Sequence, residues 1–507
     1  MNDISADNGL PGPIGETFAI FEPRFYGISL QVETPALFEA WTALSGLFGK
    51  RAMPQLPRFE ATCLQTALVH ELRHFHDALI SPFANTILML RLAAAFDGLK
   101  LFSRGSKAGA NCLPLPLKTW MAMSEAERAG WLATVSADPP SDLAAPPRPL
   151  PLPCLNGGQW AGNWAGQSAI DAYAETASLV RGPLAVLHDN PIFRAQPEAA
   201  RRVIEAIWAP RNLFEASALA VQLQAAWTDF GEEAAAALGE HLLTSDHDGA
   251  AAFRRLSQRA APAGRPGLID PIRVSAVATW CLLGNPRDGD DFDPAARFMR
   301  LLPLLESDGG IAEPSPVAVL WDDWDARLGL KGWRRAMREM RDRTARALQS
   351  YGALSQRAGD GTASTFVAVL EAYVRDQKRM TDFLLADPDA YVNTRRYLEA
   401  ARVTLPQPLL SVQLPTDVVA PMKTLPRTRA VRLPLLSRAE GARGWNRMVV
   451  DLQNPPRPRL LDAALELELL CRMCDVSFSD EAPSGPDSEA ILQSIARASG
   501  MVPLFVF

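Results

Sequence analysis

The sequence predicts a mainly α fold with a minor β contribution, and three observations carry that expectation. From Gln167 to about Ala260 the pattern is almost entirely helical, punctuated by Pro191 and Pro210. Trp333 to Leu348 is amphipathic at helical spacing. Trp333, Met337, Met340, Ala347 and Leu348 fall on one side, and Arg334, Arg335, Arg338, Arg341 and Arg346 on the other. Sequence rich in β-formers is confined to residues 17–33, TFAIFEPRFYGISLQVE, and to the region 404–455.

Taken in order, residues 17–33 read as a small hairpin punctuated by Pro and Gly. Pro35 to Phe48 is expected as a helix. Ala61 to Pro82 has no Gly or Pro before Pro82 and is expected as another, followed by an apolar helix to about Phe102. Residues 103–116, SRGSKAGANCLPLP, look like a basic loop, and a further helix ends near Val135. Residues 136–166, rich in Pro and then in Gly and Trp, form a long connection, read either as a lid or cleft wall or as a surface linker with Trp160 and Trp164 tucked onto the core. The turn-rich stretch 261–270, APAGRPGLID, divides the chain into two expected domains, 1–260 and a mostly helical one of unknown role, 261–507. Helices resume near Pro271. Residues 404–436 alternate Pro with Leu, Val and Thr and look extended, and a late helix covers Arg459 to Met473. The apolar closing segment from Val502 to Phe507 is expected to be tucked into the body.

Composition narrows the function classes. Hydrophobic residues make up 48% and charged residues 21%, as in ordinary folded proteins. A net charge of −6 argues against nucleic acid as a partner. The acidic start, MNDISADNGLPGPIGE, does not resemble a secretory signal. No run reaches the roughly 18 apolar residues of a membrane span, so a cytoplasmic location is expected. The six cysteines show no disulfide framework, and Cys471-Arg-Met-Cys474 is expected as a pair of core cysteines.

The chemistry is concentrated in Ala61 to Pro82, ATCLQTALVHELRHFHDALISP. Only six histidines occur in the chain, and His70, His74 and His76 are three of them. His70-Glu71-Leu72-Arg73-His74 places two histidines four residues apart, hence on one helix face and able to share one metal ion. Glu71 lies about 100° round the helix, beside the ion, where a carboxylate can serve a metal-activated water without taking a coordination position. Zinc suits two imidazoles and a carboxylate best. Asp77 shares the face of the two histidines but lies about 10 Å along the axis from His70. It is placed either to orient His74 from behind or to pair with Arg73. A di-iron bundle would need a second Glu-x-x-His, and the chain offers none.

A third ligand has two candidates. Glu215 is the only ionisable residue from Leu213 through Thr228, an otherwise apolar helix expected to be buried. A lone carboxylate there is costly unless a cation compensates it: a metal ion, or an arginine such as Arg73 or Arg211. Glu175 is the alternative ligand, although it points away from its helix's apolar face, formed by Ile170, Tyr173, Ala177 and Val180. His188, His241 and His247 follow without a spacing that assigns them a role.

His70, Glu71 and His74, with the apolar lead-in LQTALV, resemble the zincin metallopeptidases over about twenty residues. The metzincin branch does not fit, because Asp77 and Ile80 stand where it has Gly and then His or Asp. The gluzincin branch takes its third ligand from a Glu on a later helix, and Glu215-Ala-Ser-Ala218 has the Glu-x-x-Ala form of its second motif. The resemblance implies a zinc-dependent hydrolase, usually a peptidase acting on a peptide or protein substrate, with Glu71 as general base. It also implies a small sheet beside the metal helix. The competing expectation is a non-catalytic scaffold protein in which zinc is a structural staple, closed by a fourth ligand such as His76 or a cysteine.

Overall fold

In the computed structural model the described residues are chiefly 19–22, 27–32, 58–85 and 112–115 and then, with short breaks, 208–415, 428–432, 445–461 and 502–505. Among them the chain is mainly helical with a minor β component. The expected helix at 35–48, the apolar helix expected to run to about Phe102 beyond residue 85, the loop at 136–166 and the Cys471–Cys474 pair lie outside the described residues.

The body is built around two helices. α1, Arg58–Ile80, carries the histidines. Cys63, Leu64, Ala67, Phe75, Leu79 and Ile80 along it are buried. α2, Pro210–Phe230, packs along α1 and is itself surrounded. Around it lie α3 (Glu232–Thr244), α4 (Asp248–Ala260), α5 (Pro271–Leu282) and α6 (Pro294–Ser307). The sequence explains why α2 is central. With charge absent between Leu213 and Thr228 except at Glu215, Leu213, Ala216, Leu219, Ala220, Val221, Ala225 and Ala226 are all buried. Such a helix is stable only inside a bundle.

The remaining helices are α7 (Val317–Arg327), α8 (Trp333–Ala358), α9 (Gly361–Ala386), α10 (Pro388–Val392) and α11 (Thr394–Val403). α8 packs on α9, and α9 on α1. The amphipathic pattern of α8 is realised, with Trp333, Met337 and Met340 buried and Arg335 and Arg338 exposed. Three helices start on the same dipeptide. Asp270-Pro271, Asp293-Pro294 and Asp387-Pro388 each place Pro in the first turn, while the Asp side chain accepts backbone N–H groups of that turn.

β1 (Ala19–Glu22) and β2 (Gly27–Gln31) form the expected antiparallel hairpin. Ile28, Leu30 and Val32 are buried, with Ser29 between them half-buried. β2 then pairs in parallel with β4 (Leu409–Pro415), Ile28 opposite Leu410. β6 (Trp445–Asp451) pairs with β4 and with β5 (Thr428–Arg432), giving the order β1-β2-β4-β6-β5. β1 is thus an edge strand, and α1 packs against β1 and β2.

A second pairing departs from the sequence reading. Residues 112–115, expected within a loop, form β3 (Cys112–Leu115), which pairs in parallel with β7 (Val502–Phe505). A strand that carries Pro and lacks a polar face gives little alternation to recognise. The apolar end of the chain is therefore not free. One hydrophobic cluster runs from Ala19 to Leu461 and crosses the 261–270 break, joining Phe75 and Leu219 to Trp280, Trp321, Tyr391 and Leu409.

Candidate metal centre

α1 and α2 build the site between them. His70 and His74 stand one turn apart on α1, with their Nε2 atoms 3.0 Å from each other. Glu215 reaches across from α2, its Oε2 3.1 Å from His70 Nε2 and its Oε1 3.3 Å from His74 Nε2. Neighbouring ligands of a tetrahedral zinc, with bonds of about 2.0–2.1 Å, stand roughly 3.3 Å apart. Two imidazole nitrogens and a carboxylate at these separations are a fitting donor set for that ion.

His70, Glu71 and His74 offer ligand atoms that all lie within 4.8 Å of one another, a group able to hold a metal ion. Glu71 and Glu215 differ in what their oxygens meet. Glu71 Oε2 accepts the backbone N–H of Phe21, on edge strand β1, at 2.5 Å. Glu215 contacts both imidazoles. Glu215 thus lies against both histidines from α2, while Glu71 is tied to the edge of the sheet. Glu175 lies outside the described residues, as do His188 and His247.

The site is recessed. The side chains of His70 and His74 are 3% and 9% exposed and that of Glu215 19%, so Glu215 keeps the most contact with solvent. Burial pushes the Glu71 carboxyl up to about 8; Glu215 adds to the rise, while His70 and the Phe21 N–H oppose it. Burial pushes Glu215 up as well, but the charge of His74 and hydrogen bonds from both histidines outweigh it. Glu215 is held well below the ordinary carboxylate range. Burial thus dominates at Glu71, whereas the histidines dominate at Glu215.

Behind the histidines the helix is anchored by a residue the sequence left without a firm role. Arg73 has no exposed surface. Its guanidinium pairs with Asp77 and donates to Ser217, Ser275, Thr279 and the Tyr391 carbonyl. It also lies 3.9 Å from the ring centre of Tyr391 and 4.6 Å from that of Tyr397. Burial lowers its affinity for a proton, but Asp77 and the two tyrosines more than offset that, so it stays charged.

Asp77, one of whose two expected roles was to orient His74, goes to Arg73 and to the Tyr391 hydroxyl, which donates to it at 2.6 Å. A buried guanidinium needs an anion more than an imidazole needs an acceptor. Glu215 is left for the histidines, and Arg73 is not its partner. His76 is not turned towards the ion position either. Its Nε2–H donates to the Pro406 carbonyl at 2.7 Å, and its Nδ1 accepts from the Tyr397 hydroxyl at 2.7 Å.

Sequence reasoning missed Gln222, whose Oε1 lies 3.0 Å from His70 Nδ1. The clue was its position, a polar residue seven after Glu215 in a greasy helix. No family model, curated protein or solved structure matches the chain, so what this centre can do rests on its own donor set and geometry.

Proposed function

We propose that the chain is a zinc-dependent hydrolase, a metallopeptidase whose general base is Glu71. The observation that carries the reading is the convergence of His70, His74 and Glu215, from two helices far apart in sequence, at separations of 3.0 to 3.3 Å. Zinc bound there supplies a Lewis acid and a water acidic enough to be deprotonated near neutrality. The Phe21 N–H fixes one oxygen of the Glu71 carboxylate. The other oxygen takes the proton of the attacking water and passes it to the leaving amine. The competing staple reading needs a further protein ligand, and the engagement of both His76 nitrogens elsewhere weighs against it.

Metal analysis of the purified full chain, paired with peptide hydrolysis by wild type and Glu71→Gln, tests the reading. The variant should keep its zinc and lose hydrolysis by about a hundredfold or more. Undiminished hydrolysis in the variant would remove Glu71 from the role of base. A wild type that holds zinc and cleaves no peptide would favour the structural staple.

A further inference from the structure

Resting on the reading of His70 as a metal ligand, we propose that Gln222 is a positioning residue that sets which nitrogen of the His70 ring faces the metal. The argument is one of hydrogen-bond direction. Thr66 has one hydroxyl proton, and it is given to the Thr62 carbonyl of the same helix at 2.7 Å. Towards Gln222, 3.2 Å away, the Thr66 oxygen can then only accept. Gln222 must turn its NH2 group to Thr66, and its carbonyl is left facing His70 Nδ1 at 3.0 Å. A carbonyl only accepts, so Nδ1 carries the hydrogen. When the ring is neutral, as a metal ligand must be, Nε2 is then the bare nitrogen and faces Glu215 and His74. That is the tautomer a metal ligand requires. Without an ion Nε2 can carry a second proton and donate to Glu215, which leaves the Nδ1 hydrogen in place.

The arrangement is a rectangle across two helices. Thr66 and His70 are one turn apart on α1. Glu215 and Gln222 are about two turns apart on α2, on the same face. Helix α2 therefore supplies both the ligand and the group that aims its neighbour. Thr66, His70 and Gln222 are each at most 2% exposed, so water does not compete for these bonds. The acceptor is also neutral. A carboxylate in its place would add a third acid to a centre that already holds Glu71 and Glu215.

Two measurements on the full chain test this. The first is nitrogen NMR of metal-free protein carrying labelled histidine; only six histidines contribute, and His70 is assigned by loss of its signal in His70→Ala. The second is zinc affinity by competition with a chromophoric chelator. Wild type should show His70 protonated on Nδ1. Gln222→Met, similar in shape but without the acceptor, should lose that preference and bind zinc about ten- to a hundredfold more weakly. Gln222→Glu, which keeps an acceptor, should restore both within a few-fold. Thr66→Val, which frees the amide to turn over, should fall between.

A wild-type His70 that is bare at Nδ1 and protonated on Nε2 would overturn the proposal. So would a folded Gln222→Met whose tautomer and zinc affinity match wild type. If Gln222→Met does not fold, Thr66→Val and Gln222→Glu decide, since a Thr66→Val protein identical to wild type in both measurements contradicts the hydrogen-bond chain. A wild type that binds no zinc overturns the hydrolase reading on which the proposal rests. The NMR signal reports on Gln222 independently of that outcome.

Discussion

At the scale of single residues, the helix that carries the centre is held by groups that are buried, polar and fully committed. Arg73 is the clearest case. Removing one partner of a buried ion pair typically costs about 3–5 kcal/mol because the other charge is left stranded. Asp77 and Arg73 are therefore bound to each other before either can serve the metal. His76 makes a prediction about pH. Burial, with the nearby charge of Arg73, lowers its pKa to about 3 against the Pro406 hydrogen bond, which raises it; its unfolded value is 6.5. Between those values the unfolded chain binds the proton and the folded chain does not, so stability is lost as pH falls below about 6.5. The loss attributable to this one group comes to about 3 kcal/mol by pH 4. Denaturant unfolding from pH 7.5 down to 4 should show the fall in wild type and a flatter profile in His76→Gln. Equal slopes in the two proteins would mean that His76 titrates in the folded state as it does in the unfolded chain.

At the scale of elements, the pairing of α1 with α2 was largely legible and the way the rest closes around it was not. His70, Glu71 and His74 announced themselves by spacing, and Glu215 by being the one acid in an apolar helix. Gln222 was not singled out, because an uncharged polar residue in a buried helix has many ordinary explanations. The Asp-Pro helix starts were present at three positions, yet sequence reading used only Pro271. The parallel pairing of β3 with β7 could not be read locally, since strands separated by almost four hundred positions leave no mutual trace in one sequence.

Gly310 shows another kind of hidden constraint. It follows α6 with φ +91°, and a Cβ there would stand 2.0 Å from the Ala261 carbonyl oxygen. The next residue, Ile311, donates its N–H to Ala260. The end of α6 is thus pressed backbone to backbone against the end of α4. Gly310→Ala combines a left-handed φ with a clash against main chain and should cost about 2–4 kcal/mol. Gly329→Ala, equally left-handed at φ +68° but in open space, should cost only about 1 kcal/mol. Thermal unfolding of the two variants checks the contrast. Similar melting temperatures would show that the α4–α6 contact is not tight.

At the scale of the whole molecule, α1 is walled by both halves of the sequence. Tyr391, Tyr397 and Pro406 close its back. β1 is joined to it at Glu71 while its sheet is completed by strands from 409 to 451. Composition located the strands in the N-terminal segment and the 404–455 region, but only the fold shows why both are needed: β2 pairs directly with β4 beside the helix. No helix among the described residues is long and apolar enough to cross a membrane. The central claim is that two imidazoles of α1 and one carboxylate of α2 hold a single ion. Anomalous diffraction at the zinc edge from crystals of the full chain tests it most directly. The account predicts one peak at about 2.0–2.2 Å from His70 Nε2, His74 Nε2 and a Glu215 oxygen. A peak coordinated by Glu71 in place of Glu215, or no peak between the two helices in zinc-loaded crystals, would contradict it.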